Sequence, residues 1–487
     1  MIDTAKVPGR AELSAACSRV FETGGAKIRR LAGRWVPGSG APVFTVAGTY
    51  TARGWTEWTQ GFQFGAPLLV YEATKDPWFL EYGRTSTLSR MAVHLTHTGV
   101  HDHGFNNVST YGTLLRLMHE GAIPDEAWER RYYVLALKAS GAVQAARWTP
   151  LPAGLGFIHS FNGPHSLFAD TMRSLRSLAL AHRLGQVLMG EQDSRASLLG
   201  RLLSHAETSA RYNVYFGQGR DRWDVPGRVA HESLFNTVNG SYRSPSSQQG
   251  YSPYTTWTRG LAWVMLGFAE ELEFAAGLGD DEVAACALPY FPDAGAVRKR
   301  FSEVARATCD FYLASTPPDG VPYWDTGGPR LGQIPGAADH PADPCNPLEP
   351  VDSSAAAIAA QALLRLGAFL TAAGDPAGLR YTAAGRRTAA TLMAGPYLSE
   401  DPDHEGLLLH AVYHYPNGWD RSADGSDVPH GESCMWGDYH LLELALWLDR
   451  EARGQRPQRF FDIGPDPDGS LPDGSLPDGN HPDGSPA

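Results

Sequence analysis

The chain has 487 residues, 43% of them hydrophobic and 19% charged, enough to bury a large core as two or three ordinary domains or as one closed helical architecture. Its formal charge of -12 argues against nucleic acid, because displacing counterions from phosphates needs a basic face. An anionic small molecule stays open, since repulsion is screened over roughly 8 Å and a local Arg or His can still hold one carboxylate. The N-terminal residues MIDTAKVPGRAELSAACSRV lack a charged start followed by an apolar segment, and no later stretch approaches eighteen continuous apolar residues. A cytoplasmic protein that engages neither membrane nor nucleic acid is therefore expected.

Apolar residues recurring at i, i+3 and i+4 predict about a dozen amphipathic helices. In chain order they fall near 8–31, 57–73, 77–96, 103–121, 125–144, 165–185, 192–211, 254–275, 294–313, 352–372, 378–394 and 432–453. Only Ala41–Tyr50 and parts of 212–243 read as extended. The Pro- and Gly-rich stretch 315–350 reads as a long loop. After Phe461 the sequence PDPDGSLPDGSLPDGNHPDGSPA repeats Pro-Asp-Gly with almost nothing to bury. The expected organisation is one helical domain over 1–462 and a disordered acidic tail over 463–487.

Helices joined by short connections run antiparallel, so alternate helices start at the same end. The polar and aromatic clusters precede or open the second, fourth, sixth, eighth, tenth and twelfth predicted helices. They include Trp58-Thr59-Gln60-Gly61-Phe62, His101-Asp102-His103-Gly104-Phe105, Asp170-Thr171-Met172, Gln249-Gly250-Tyr251 with Trp257-Thr258-Arg259-Gly260, Asp352-Ser353-Ser354 and Trp436-Gly437-Asp438-Tyr439. A closed ring of helical hairpins, all-α, would gather them at one mouth. Thirteen Trp and nineteen Tyr, many beside loops, would supply flat surfaces there, and sugars are natural ligands for such surfaces.

Asp102 and Asp170 are the residues at that mouth best suited to acid–base work. A lone Asp at a helix N-terminus ordinarily caps it. Two carboxylates a few ångströms apart and partly buried behave differently, because one can keep its proton near neutrality while the other stays ionised. Arg259 and Trp263, four residues apart on one predicted helix, suit a planar carboxylate beside a sugar ring; the ordinary alternative is an interior Arg satisfied by carbonyls with Trp263 as core. His231, Gln249 and Tyr251 lie close enough in sequence to line the same opening. His97, His101 and His103 beside Asp102 raise a metal alternative, but neither HExxH nor paired cysteines occur, so no metal is expected. No cofactor is expected either, since Gly217-Gln218-Gly219 lacks the third glycine of a dinucleotide loop. Cys17, Cys286, Cys309, Cys345 and Cys434 are scattered and odd in number, and read as reduced thiols that are mostly buried.

These motifs, with Gly156-Phe157-Ile158-His159-Ser160-Phe161-Asn162 and Val321-Pro322-Tyr323-Trp324-Asp325 between them, resemble in order those of the unsaturated glucuronyl hydrolases, glycoside hydrolase family 88. More distantly they resemble the unsaturated rhamnogalacturonyl hydrolases. The resemblance covers most of residues 55–450 and implies an (α/α)6 barrel. It also implies a reaction in which an aspartic acid protonates C4 of a C4=C5 double bond in a terminal uronate, water adds at C5, and the resulting hemiketal collapses. By position Asp170 would be the acid that also activates water, and Asp102 its partner. Arg259, His231 and Gln249 would hold the uronate, and Trp58, Phe62 and Trp263 would shape the ring site. His101, Phe161 and Tyr413 complete the expected set of substrate contacts. Gln248 stands where such enzymes commonly have His, and Phe161 where they commonly have Trp. The implied partner is a small acidic oligosaccharide, such as an unsaturated disaccharide, taken by a monomer or homodimer. Alternatives are the same reaction on pectin fragments, a conventional inverting glycosidase, and a non-catalytic helical carbohydrate-binding protein.

Overall fold

The computed structural model describes residues 1–464 apart from 6, 37, 55, 56 and 423. From residue 465 on, the expected acidic tail lies outside the described residues. The predicted helices all form: α1 (Arg10–Arg34), α2 (Gln60–Thr74), α3 (Pro77–Arg90), α4, α5 (Ala127–Ala146), α6, α7 (Leu198–Tyr212), α8 (Thr258–Ala275), α9 (Ala294–Ser315), α10 (Ser353–Ala372), α11 (Ala377–Leu392) and α12 (Met435–Ala452). Two are composite. α4 runs through His103–Asn106, a π-helical Val108–Gly112 and Thr113–His119, and α6 through Thr171–Ser174 and Arg176–Arg183. Local chemistry fixes several starts: Asp76 accepts from Trp78 N with Pro77 in the first turn, Ser197 accepts from Gly200 N, and Asp293 accepts from Ala296 N.

The even-numbered helices close a ring, α2 on α4, α4 on α6, α6 on α8, α8 on α10, α10 on α12, and α12 back on α2. The odd-numbered helices wrap it from outside: α1 lies on α12 and α2, α3 on α2, α5 on α4 and α6, α7 on α6, α9 on α8, and α11 on α10. This is the all-α (α/α)6 barrel that the resemblance implied. By length and composition α10 could cross a membrane, with a mean hydropathy of 1.5, but its neighbours cover it and it serves as an inner stave of the ring. One continuous apolar core runs from Ile2 to Ile463 through both layers.

Glycine lets adjacent staves touch where the site is built. A Cβ on Gly104 would lie 2.4 Å from Ser174 O, and one on Gly61 would lie 2.3 Å from Asn106 Cα. The starts of α2, α4 and α6 are therefore drawn together. At the other end of the ring Gln458, Phe460 and Phe461 form a plug: Arg365 donates to Gln458 O at 3.3 Å, and both rings pack on Phe274.

Extended structure is more frequent than the sequence suggests. β1 (Pro42–Val46) and β2 (Thr49–Ala52) pair over the first stretch expected to be extended, and β8 (Glu232–Phe235) lies inside the second, 212–243, while its partner β9 (Tyr242–Ser246) only overlaps the end of that stretch and runs past it. Unanticipated are β3 (Trp148–Pro150) with β4 (Gly156–Ile158), β5 (Ser166–Phe168) on β8, and β6 (Val187–Met189) with β7 (Arg195–Ser197). The sixth helix, expected from 165, starts only at Thr171 because β5 spends its backbone groups on β8. Three-residue strands have too little periodicity to register in the sequence.

Among the described residues all five cysteines are free. Cys17, Cys309 and Cys434 are buried, Cys286 is half-buried and Cys345 exposed.

Candidate active site

Asp102 and Asp170 hold the N-cap positions of α4 and α6, yet neither side chain caps its helix. Both turn instead to His101. Its Nε2 donates to Asp170 Oδ1 at 3.2 Å and lies 3.8 Å from Asp102 Oδ1. The His101 carbonyl is pinned by Gln144 Nε2 at 2.9 Å and Ser174 Oγ at 2.5 Å, which fixes the loop across the Gly104 contact. The aspartates are only 7% and 8% exposed, so each is nearly dry while keeping a small opening.

Their environments push them apart. Burial raises the Asp102 carboxyl and the charge of Asp170 adds to that rise, against the pull of His101, so the net direction is upward. Burial also favours neutral Asp170, but His101, the hydrogen bond it makes and His231 outweigh burial, and the net direction is downward. The two carboxylates in turn overcome burial at His101 and raise it. Of the two carboxyls, Asp102 is therefore the one shifted toward holding a proton and Asp170 the one shifted toward losing it. The cause is the imidazole pointed at Asp170, which the sequence places next to Asp102.

His231 lines the same opening. Its Nδ1 accepts from Gln248 N at 3.0 Å, its ring packs between Phe168 and Trp257, each centroid 4.7 Å away, and its buried Nε2 has no protein partner among the described residues. Burial lowers it to about 4, so it is neutral with its proton on Nε2. Phe161 is 46% exposed and lies over His101, with centroids 6.0 Å apart and planes at 22°. Half-buried Trp58 stacks on Trp436 at 5.0 Å and 27°. Tyr413 is buried among Phe44, Trp419 and Trp436, and burial pushes its hydroxyl up to about 12. Half-exposed Tyr251 borders the opening, with its N–H bonded to Asp325 Oδ2 at 2.8 Å.

Three expected contacts have other roles. Phe62 and Trp263 offer no face to a ligand: Phe62 packs on Phe105 and Tyr439, Trp263 packs on Phe105 and His440, and both are buried in the barrel floor. Arg259 is the larger correction. Its Nη1 donates to Asp352 Oδ2 at 2.9 Å and to Val412 O, and its Nη2 to Gln249 Oε1 at 3.0 Å and Tyr413 O at 2.6 Å. Trp257 and Trp436 cover the guanidinium at 4.7 and 5.0 Å. With both terminal nitrogens engaged by the protein's own acceptors, Arg259 has no terminal N–H left over for a uronate carboxylate. It fastens the late loop to α10, and by holding Gln249 Oε1 it fixes that amide so that its NH2 is the free end.

Other contributors escaped the sequence reading. Arg147 donates through Nε to His159 O at 3.1 Å and through Nη2 to Ser160 O at 2.7 Å, bracing the turn that carries Phe161. Phe168 packs edge-on against His101 at 5.6 Å. Asp420 receives the backbone N–H groups of Tyr413 and His414. None belongs to a local motif; each is brought in by strand pairing or a long loop. His103, raised as a metal ligand, spends Nδ1 on Ser140 Oγ and Nε2 on the His97 carbonyl, both at 3.0 Å.

No protein-family model matches the chain. Its sequence is 27% identical over 406 residues to an unsaturated glucuronyl hydrolase of Bacillus sp. strain GL1, spanning 82% of this chain and 88% of that protein. It is 23% identical over 390 residues to one from Formosa agariphila, spanning 80% and 78%. The solved structure of the Bacillus sp. GL1 enzyme superimposes with a TM-score of 0.66 at 24% identity, covering 91% of this chain and 98% of that one. Over most of its length, in sequence and in fold, the chain is similar to the unsaturated glucuronyl hydrolases.

Proposed function

We propose that the chain is a glycoside hydrolase that releases a 4,5-unsaturated uronic acid from the non-reducing end of a short acidic oligosaccharide by hydrating the C4=C5 bond. The observation that carries this reading is the pair of aspartates turned away from capping and onto one histidine. The relatives agree in kind, and a Streptococcus agalactiae unsaturated glucuronyl hydrolase is known complexed with dGlcA-GalNAc6S.

The uronate carboxylate is held by the neutral His231 Nε2–H, which has no hydrogen-bonding partner among the described residues, and by the Gln249 NH2, whose amide oxygen is taken by Arg259. Phe161 and Trp58 flank the sugars. Seating the sugar excludes water from Asp170 and brings a negative charge beside it, and both effects favour the protonated carboxyl. Asp102, Asp170 and His101 exchange protons as one set, so a proton held on His101 or Asp102 in the empty site is available to Asp170 in the complex. Asp170 then donates to C4, and positive charge develops at C5 and the ring oxygen. Ionised Asp102 steadies that charge, while the Asp170 carboxylate takes a proton from the water that adds to C5. The hemiketal opens and the leaving sugar departs as its alcohol, with Asp170 protonated again.

The test is loss of the ultraviolet absorbance of the conjugated C4=C5 carboxylate, followed on unsaturated chondroitin, gellan and rhamnogalacturonan disaccharides side by side. Decay on uronate substrates is expected. Faster decay on the rhamnogalacturonan disaccharide would reassign the substrate to pectin fragments. Cleavage with the chromophore intact would make the chain a conventional glycosidase, and no change on any of the three would leave only carbohydrate binding.

A further inference from the structure

At the rim of the mouth stands an aromatic pair that the proposed reaction does not use. Trp223 and Tyr254 stack with ring centroids 4.1 Å apart and planes at 22°, yet each keeps 41% of its surface exposed. Neither ring is packed into the apolar core, so flat apolar surface is left in water, which is unfavourable unless something covers it. The fold nevertheless holds the pair still. Trp223 N donates to Asp221 Oδ1 at 2.7 Å, and the Trp223 carbonyl accepts from Arg228 Nε at 2.8 Å. Arg228 Nη1 reaches on to Pro253 O at 3.3 Å, which ties together the two loops that carry the rings. Tyr254 N donates to Ser252 Oγ at 3.1 Å. Arg220 and Arg228 both lie over the Tyr215 ring, at 4.0 and 3.7 Å, and brace the same turn.

Inner helices start at the mouth and outer helices end there, so the stretch 213–257, from the end of α7 to the start of α8, leaves the mouth face and returns to it. Tyr254 is three residues from Tyr251, which borders the opening, and three from Trp257, which packs on His231, so its Cα lies within roughly 11 Å of both. Gly227 approaches Ala307 O of α9 so closely that a Cβ would have no room, which seats the Trp223 loop on the outer layer. The pair therefore stands on the rim and not inside the cavity. We propose that Trp223 and Tyr254 form a second saccharide subsite, on which a sugar further along the leaving chain lies, so that the protein favours longer acidic oligosaccharides over disaccharides. The inference rests on the function proposed above. A flat surface already held in place takes a sugar ring at little cost in ordering. Arg222 supplies the charge: it is exposed, lies 5.5 Å over the Trp223 ring, and has neither an ion pair nor a hydrogen bond among the described residues. Asp221 and Asp224 spend oxygens on the N–H groups of Trp223, Gly217 and Arg220. A carboxylate or sulfate on the incoming chain thus meets a local cation on a protein whose formal charge is -12.

Unsaturated chondroitin disaccharide and hexasaccharide, which share the bond to be cleaved, read the subsite as a ratio. The unaltered full chain should show a KM about tenfold lower for the hexasaccharide. Trp223→Ala should remove that advantage and leave the disaccharide kinetics as they are. Because the ring lies outside the core, this variant should melt within about 3 °C of the parent. Trp223→Phe, which keeps a flat ring, should restore part of the advantage. Arg222→Gln should raise KM for the hexasaccharide about threefold, an effect that fades at high salt. Equal KM for the two saccharides in the unaltered chain, or a change in Trp223→Ala that is the same for both, would overturn the proposal. If the chromophore never decays, the reaction proposed above falls, and calorimetric titration with the same two saccharides still reads the subsite as a difference in affinity that Trp223→Ala abolishes.

Discussion

Asp102 and Asp170 on one side of the ring, and Asp352 and Asp438 on the other, are the same residue type at the starts of the same kind of helix. Asp352 caps α10 by accepting from Ser354 N at 3.0 Å and Ala355 N at 3.3 Å, and its other oxygen takes Arg259. Asp438 accepts from Leu407 N, Leu408 N, Ser433 Oγ and Tyr50 Oη, and so anchors the late loop. Every oxygen on that side is claimed by a donor that never leaves. Asp102 and Asp170 share one imidazole and feel each other's charge, with only the Thr171 N–H adding to Asp170 from the backbone. The difference lies in how many lone pairs the fold has already consumed: a carboxylate saturated by backbone N–H groups holds structure, and one left short of donors is free to trade protons.

Substitutions on the two sides should therefore fail in different ways. Asp170→Asn should lower kcat by about 10³-fold with the melting curve almost unchanged, and retention of most activity would remove Asp170 from the acid role. Asp352→Ala leaves Arg259 buried without its anion, so urea unfolding should show a loss of about 3–5 kcal/mol, and a stable variant with weakened uronate binding would restore Arg259 as a clamp. Trp263→Ala should cost about 3–5 kcal/mol of stability as a cavity in the floor, whereas Trp58→Ala should mainly raise KM; equal effects on KM would blur floor and wall.

The smallest effect concerns Asp420, which burial raises to about 6. The folded chain keeps this proton where the unfolded chain has released it. Stability should therefore fall as pH rises from about 4 to about 6 and show no further loss from this group above that, on the order of 1–3 kcal/mol in all. Asp420→Asn should flatten that part of a melting-temperature profile against pH.

Much of this was legible beforehand because it is local. Helix periodicity located every stave, and the placement of polar clusters on alternate helices located the mouth. What was hidden depends on partners distant in sequence. Arg259 looked available until Asp352, Val412 and Tyr413 came to it from up to 154 residues away. Phe62 and Trp263 carry the same motif spacing whether they face a ligand or pack together beneath it. The direction of the Asp170 shift depends on which carboxylate His101 meets, and chain order does not show that.

Phe161 sits in the turn between β4 and β5, on none of the twelve staves, with nearly half its surface open to solvent. A replacement there changes the shape offered to an incoming sugar without unpacking any helix. Tolerance of new substrates can thus drift across generations at that position while the ring beneath it stays shut.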